Sequence, residues 1–197
     1  MNLFSDTLLR DTVQYMSKPI TLNPDSEFEY MVQGFTTNAT LSPNSSYHLH
    51  AANEFKRGDV LMLTDNDYYI VTGDVVFERG AKYKAILDYC NYENVIIEKV
   101  KTDEIVGRQP NGAPIYKTEN KIVGLFVGVF RHREVSIANN QIITVANTET
   151  ILTLKDTPKA RETYAINKVF TFDNVEWTVR EVMTTKIGLL ELRLMSV

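Results

Sequence analysis

Apolar and polar residues alternate in short runs along most of this chain, which is the period of half-buried strands. One segment differs. Leu8, Leu9, Thr12, Val13 and Met16 share a face at helical spacing, and Ser5 and Asp6 suit a helix start. The pattern predicts a helix over 3–17, ended by Pro19. Beyond it, Phe28, Tyr30 and Val32 point one way, and further strands are predicted near 59–64, 67–73, 74–77, 82–89, 94–100, 133–137, 141–146 and 149–153. The polar stretch 38–53 reads as a loop or as a short edge strand at 46–50. Residues 155–166 read as a loop or a single helical turn, and 167–197 as at least three strands.

The expected fold is therefore mainly β, an antiparallel barrel or sandwich with one short N-terminal helix. Pro110-Asn111-Gly112 marks 101–120 as a turn or β-arm and as the candidate boundary. The domain scheme is a helix plus first β unit over 1–100, the arm over 101–120, and a second β unit over 121–197.

One hairpin occurs twice. Val60, Leu61 and Leu63 align with Val169, Phe170 and Phe172. Asn66 aligns with Asn174, Tyr69 with Trp177 and Val71 with Val179, one residue being skipped around Asp65. Gly58 precedes the first copy and Asn167 the second. A Gly34-Phe35 or Val129-Phe130 segment lies upstream of each, which predicts a duplicated β unit. Tyr69, Val71, Phe170, Phe172, Trp177, Val179, Leu192 and Leu194 are the expected core.

Composition narrows the function. The 197 residues are 44% hydrophobic and 23% charged, with net charge −4 and pI near 5.4. That supports a packed core and argues against sequence reading of nucleic acid, which needs clustered cations. The single cysteine, Cys90, excludes an internal disulfide and reads as a buried thiol. The first residues lack the pattern of a secretion signal and no apolar window spans a membrane, so the expectation is a protein made or assembled in a cytosol.

Candidate chemistry is sparse. His48 and His50 share a strand face and are weak metal candidates, with Glu54 and Asp59 near in sequence. Asp65-Asn66-Asp67 opens like a calcium loop, but Ile70 and Val76 stand where that loop needs Gly and Glu. No nucleophile elbow or phosphate loop occurs. Tyr68, Tyr69, Tyr89 and Tyr92 offer a stacking platform for a sugar or base. The basic cluster with Arg131 and Arg133 can touch an acidic partner.

The segment Gly128-Val129-Phe130, the hairpin Asn167, Val169, Phe172, Asn174, Trp177, Val179, and the closing Leu190, Leu192, Leu194 together resemble the neck proteins of tailed bacteriophages. These form the head-closure and head–tail joining group. The resemblance covers about 120–197 well and 28–90 loosely, and Asn167 stands where that pattern has glycine. It implies a virion structural protein, not an enzyme, without cofactor or membrane. It implies a homo-oligomeric ring in the virion, assembled in the host cytoplasm, between portal or adaptor and tail proteins. Double-stranded DNA would pass through the lumen without sequence-specific binding. Arg131, Arg133, Pro110, Asn111, Gly112 and Tyr116 are the interface candidates under this reading, the 101–120 segment reaching neighbours by strand addition. Two other readings stand beside it. One is a β-sandwich binding module of a tail tip or baseplate, using exposed tyrosines and His48/His50 on a glycan or receptor. The other is a metal enzyme at those histidines.

Overall fold

The computed structural model describes residues 11, 13–24, 26–38, 47–64, 67–78, 82–133 and 149–197. Of the N-terminal helix, residues 11 and 13–16 are described and helical; 1–10 lie outside the described residues, as do 134–148 with their predicted strands. The rest is two antiparallel sheets. The first contains β1 (Lys18–Leu22), β2 (Tyr30–Asn38), β3 (Tyr47–Ala51), β4 (Val60–Thr64), β5 (Asp67–Val71), β6 (Val76–Glu78) and β7 (Lys82–Tyr89). The second contains β8 (Tyr92–Arg108), β9 (Pro114–Arg133), β10 (Glu149–Lys155), β11 (Val169–Phe172), β12 (Val175–Met183) and β13 (Leu189–Ser196). A short helix, Pro158–Thr163, sits between β10 and β11, with Thr157 accepting from the Ala160 amide at its start.

In the first sheet, β3–β2–β1–β4–β5–β7 returns to β3, so six strands close a barrel and β6 is appended to β7. Residues 47–51 are thus a central strand between β2 and β7, not an edge. The polar look of Tyr47-His48-Leu49-His50 misled because its outward positions carry the histidines. The second sheet runs β11–β12–β13–β10–β9–β8 without pairing its ends. The sheet changes at Cys90 and Asn91, and 101–120 is the outer part of the β8–β9 hairpin.

Both sheets have one connectivity in one register. The strands β1, β2, β3, β4, β5 and β7 correspond to β8, β9, β10, β11, β12 and β13. Leu61 faces Tyr69 as Phe170 faces Trp177. Val71 faces Leu87 as Val179 faces Leu194. Leu49 faces Ala85 as Leu152 faces Leu192. For Val60, Leu61, Tyr69 and Val71 the hairpin alignment read from the sequence is therefore a structural equivalence; Asp65 and Asn66 lie outside the described residues. Upstream, Gly34 corresponds to Gly128, one residue from the Val129-Phe130 match, since each faces the same position of the third strand.

Each unit has its own core. Leu22, Val32, Leu49, Phe55, Leu61, Tyr69, Val71 and Leu87 fill the first. Tyr92, Phe126, Phe130, Leu152, Tyr164, Trp177, Val179, Leu192 and Leu194 fill the second, with Phe170 and Phe172 packed against them. In the first barrel the chain turns at Asn23, whose amide donates to the Val60 carbonyl and seals β1 against β4. In the second, β8 runs on instead of turning. Its seam with β11 is bridged by side chains, the Tyr92 ring lying 5.9 Å from Phe170 and 4.9 Å from Phe172.

The barrels meet through Val60, Ile70 and Cys90 of the first and Val127, Val129 and Leu189 of the second. Gly58 and Gly188 touch back to back: a Cβ on Gly58 would come within 1.9 Å of the Gly188 carbonyl oxygen. Gly58 also takes φ +89°, and its equivalent Asn167 takes φ 67°. Both donate their amide to the matching carbonyl, Val71 or Val179. Asparagine tolerates that conformation where nothing packs on it; glycine is required where the other barrel does. Gly58→Ala is expected to cost about 2 kcal/mol or more in urea unfolding, while Asn167→Gly changes stability by less than about 1 kcal/mol.

Candidate interaction surface

Three features outside the cores carry polar or unpaired groups: the β8–β9 arm, the charged seam between barrels, and the histidine face of β3. The arm is built by length. β1 and β2 end their ladder at Leu22 opposite Tyr30. The equivalent pair in the second unit is Ile96 and Gly124, and from there the ladder continues to Arg108 opposite Pro114. Among the described residues the outer strands pair only with each other. From Lys99 to Arg108 the ribbon reaches about 30 Å.

Pro110, Asn111 and Gly112 form its tip. The Gly112 amide donates to the Gln109 carbonyl, and Asn111 Oδ1 accepts from the Ala113 amide at 3.1 Å. Tyr116 faces Ile105 across the ladder. Ile105, Val106, Ile115 and Tyr116 are 42–59% exposed, an apolar group that this chain leaves in water. Four of the six interface candidates therefore lie on one protrusion. Arg131 does not: its guanidinium pairs with Asp88 at 2.9 Å, across the two barrels. Arg133 ends β9 opposite Glu149, and its side chain lies outside the described residues.

The seam holds a buried polar cluster that the sequence reading missed. Asp59 accepts from Asn23 Nδ2 at 2.9 Å, the Tyr30 hydroxyl at 2.5 Å, the Lys56 amide at 2.8 Å and Lys155 Nζ at 2.9 Å. Burial opposes the Asp59 charge, yet the hydrogen bonds from Tyr30, Asn23 and Lys155 outweigh it and hold the carboxyl below its ordinary range. Lys155 belongs to the second barrel, so the pair fastens one unit to the other. No local pattern announces it, since 96 positions separate the partners. The carboxylate considered beside the histidines is thus committed elsewhere.

His50 stacks on Phe35 at 4.9 Å, and its Nε2 meets Thr37 Oγ1 at 3.0 Å. Its Nδ1 is buried without a hydrogen-bond partner. Burial, with the charges of Lys82 and Lys84, lowers its pKa to about 4. The His48 ring lies 6.2 Å away, edge to face. Among the described residues no three His, Cys, Asp or Glu side chains are placed to hold a metal. The tyrosines do not form one platform: the Tyr69 and Tyr89 rings meet at 5.5 Å on the first barrel, while Tyr92 belongs to the second core. Tyr69 and Tyr92 are core residues, and the Tyr92 and Tyr164 hydroxyls bond each other at 2.8 Å. Cys90 is buried between the barrels, and burial pushes its thiol far above the ordinary range.

Two outcomes follow from these charges. The unfolded chain protonates His50 near pH 6.5 and the folded one near 4, so the folded state binds the proton later. Stability is full above about pH 6.5 and declines toward pH 4, by an amount on the order of 2 kcal/mol. Asp59, its pKa depressed, keeps its contribution until the pH falls lower still. Urea midpoints measured across that range should drop for the wild type and stay flatter for His50→Phe. Lys155→Met leaves Asp59 without its counter-charge and is expected to cost about 2–3 kcal/mol at neutral pH. No protein-family model, curated protein or solved structure matches the chain.

Proposed function

We propose that this chain is a structural subunit of a tailed-bacteriophage virion. It forms a ring at the neck, joins head or portal to tail, and lines the passage for DNA. The observation that carries this reading is the arm. A two-stranded ribbon is marginal alone in water, and this one also exposes Ile105, Val106, Ile115 and Tyr116. Its roughly 20 outer residues match what one side of a standard protein interface uses. Such an extension pays off when a neighbour covers it, and a contact between different surfaces of identical subunits closes into a ring when the rotation allows.

Two further features agree with the reading. Both barrels have interiors filled by side chains, so each unit is a rigid block rather than a container. The net charge of −4 gives DNA phosphates little to grip, which suits a conduit through which DNA slides. The proposed role is shape and contact, without a catalytic step.

The test removes the arm and spares the barrels. A variant with residues 99–120 replaced by Asn-Gly should unfold at a urea midpoint close to that of the wild type. It should also enter particles at least about tenfold less well, counted by quantitative mass spectrometry of purified virions. Equal incorporation of the armless chain, or absence of the wild-type chain from virions, contradicts the proposal.

A further inference from the structure

The contact between the two barrels uses different faces of the two equivalent units. On the first barrel the face is the outward cross-strand row Val60–Ile70–Asp88 of β4, β5 and β7. Val60 is 7% exposed, Ile70 0% and Asp88 9%, because the second barrel lies on them. On the second barrel the face is Val127 and Val129 of β9 with Leu189 of β13. The register equivalences carry each face onto the other unit.

The row Val60–Ile70–Asp88 corresponds to Val169–Thr178–Met195, which crosses β11, β12 and β13 in the same register. Among the described residues nothing buries that row: Val169 is 55% exposed, Met195 51%, and Thr178 between them is half-buried. Ile166, the equivalent of Arg57 beside it, is exposed as well. The receiving face, Val127, Val129 and Leu189, corresponds to Gln33, Phe35 and Lys82 of the first barrel. Gln33, itself exposed, lines a concavity there together with Val13 and Gln14 of the N-terminal helix and with Ala52, Asn53, Phe77 and Tyr83.

We propose that the Val169–Thr178–Met195 face docks a second copy of this chain, on that copy's Gln33–Phe35–Lys82 face. The docking repeats between chains the head-to-tail relation already made within one chain. The occupant follows from continuity with the internal interface. One copy of the contact is used inside the chain, and a contact between unlike faces leaves one of each free at the two ends. The two free faces differ from the internal ones in charge. Lys168 stands where Asp59 is, and Ala52 where Lys155 is, so the internal ionic lock is absent between chains. The contact between chains is accordingly weaker and reversible, while the one within the chain is permanent. This inference goes beyond the ring reading, because the partner is identified from the internal interface alone.

Analytical ultracentrifugation of the purified full chain over a dilution series tests it. The wild type should associate reversibly. Val169→Glu sits at an exposed position and should keep the wild-type urea midpoint, yet weaken association by about tenfold or more. Adding Gln33→Lys to the same chain should recover association, since opposite charges then face each other across the contact. A wild type that stays monomeric throughout, or a Val169→Glu chain that associates as the wild type does, overturns the docking. The second result leaves the arm and the ring reading untouched; loss of the chain from virions would remove that reading without bearing on this face.

Discussion

An unpaired strand edge is the constraint around which this molecule is arranged. Backbone amides and carbonyls along an edge must find partners or water, and a sheet of six short strands has two edges to satisfy. The first unit solves this within itself. Asn23 turns the chain, bonds Val60, and brings the last strand back to the first. The second unit does not turn there. Its equivalent strand continues as β8, the barrel remains unsealed at the backbone, and the edge is carried out along the arm. The same duplicated unit thus yields one closed block and one block that reaches outward.

The two copies have diverged where they touch each other and kept their pattern where they do not. Alternating apolar positions fill both interiors in the same register. At the contact, Gly58 has no side chain because Gly188 is packed against it, whereas Asn167 keeps one. Asp59 binds Lys155 across the seam, while Lys168 at the equivalent place is exposed. Interior packing asks only for volume and alternation; an interface asks for particular residues at particular points.

What could be read from the sequence follows the same division. The mainly β fold and the repeated hairpin were legible because alternation, the aromatic pair Tyr69/Trp177 and the turn residues are local signals. The predicted core residues of both units came from the same signals. The Pro-Asn-Gly tip of the arm and its rough extent, 101–120, were legible too, but its continuity with the strand predicted at 94–100 and the apolar run at 121–130 was not, because a solvated ribbon carries no buried stripe. The change of sheet at Cys90 and Asn91 has no compositional mark. Residues 47–51 read as marginal because a strand can be central in a barrel and still show polar residues on its outer face. The Asp59–Lys155 pair was invisible, since nothing near either residue encodes the other. Tyr69 was readable as a platform or as core and Tyr92 only as part of the platform, and packing places both in the cores.

The most direct measurement is cryo-electron microscopy of a particle that contains this chain, with its density assigned. The account predicts a ring at the head–tail junction around an axial channel, the β8–β9 arm of each copy lying on its neighbour. Isolated copies, or copies at a distal tip with their arms in solvent, would contradict it.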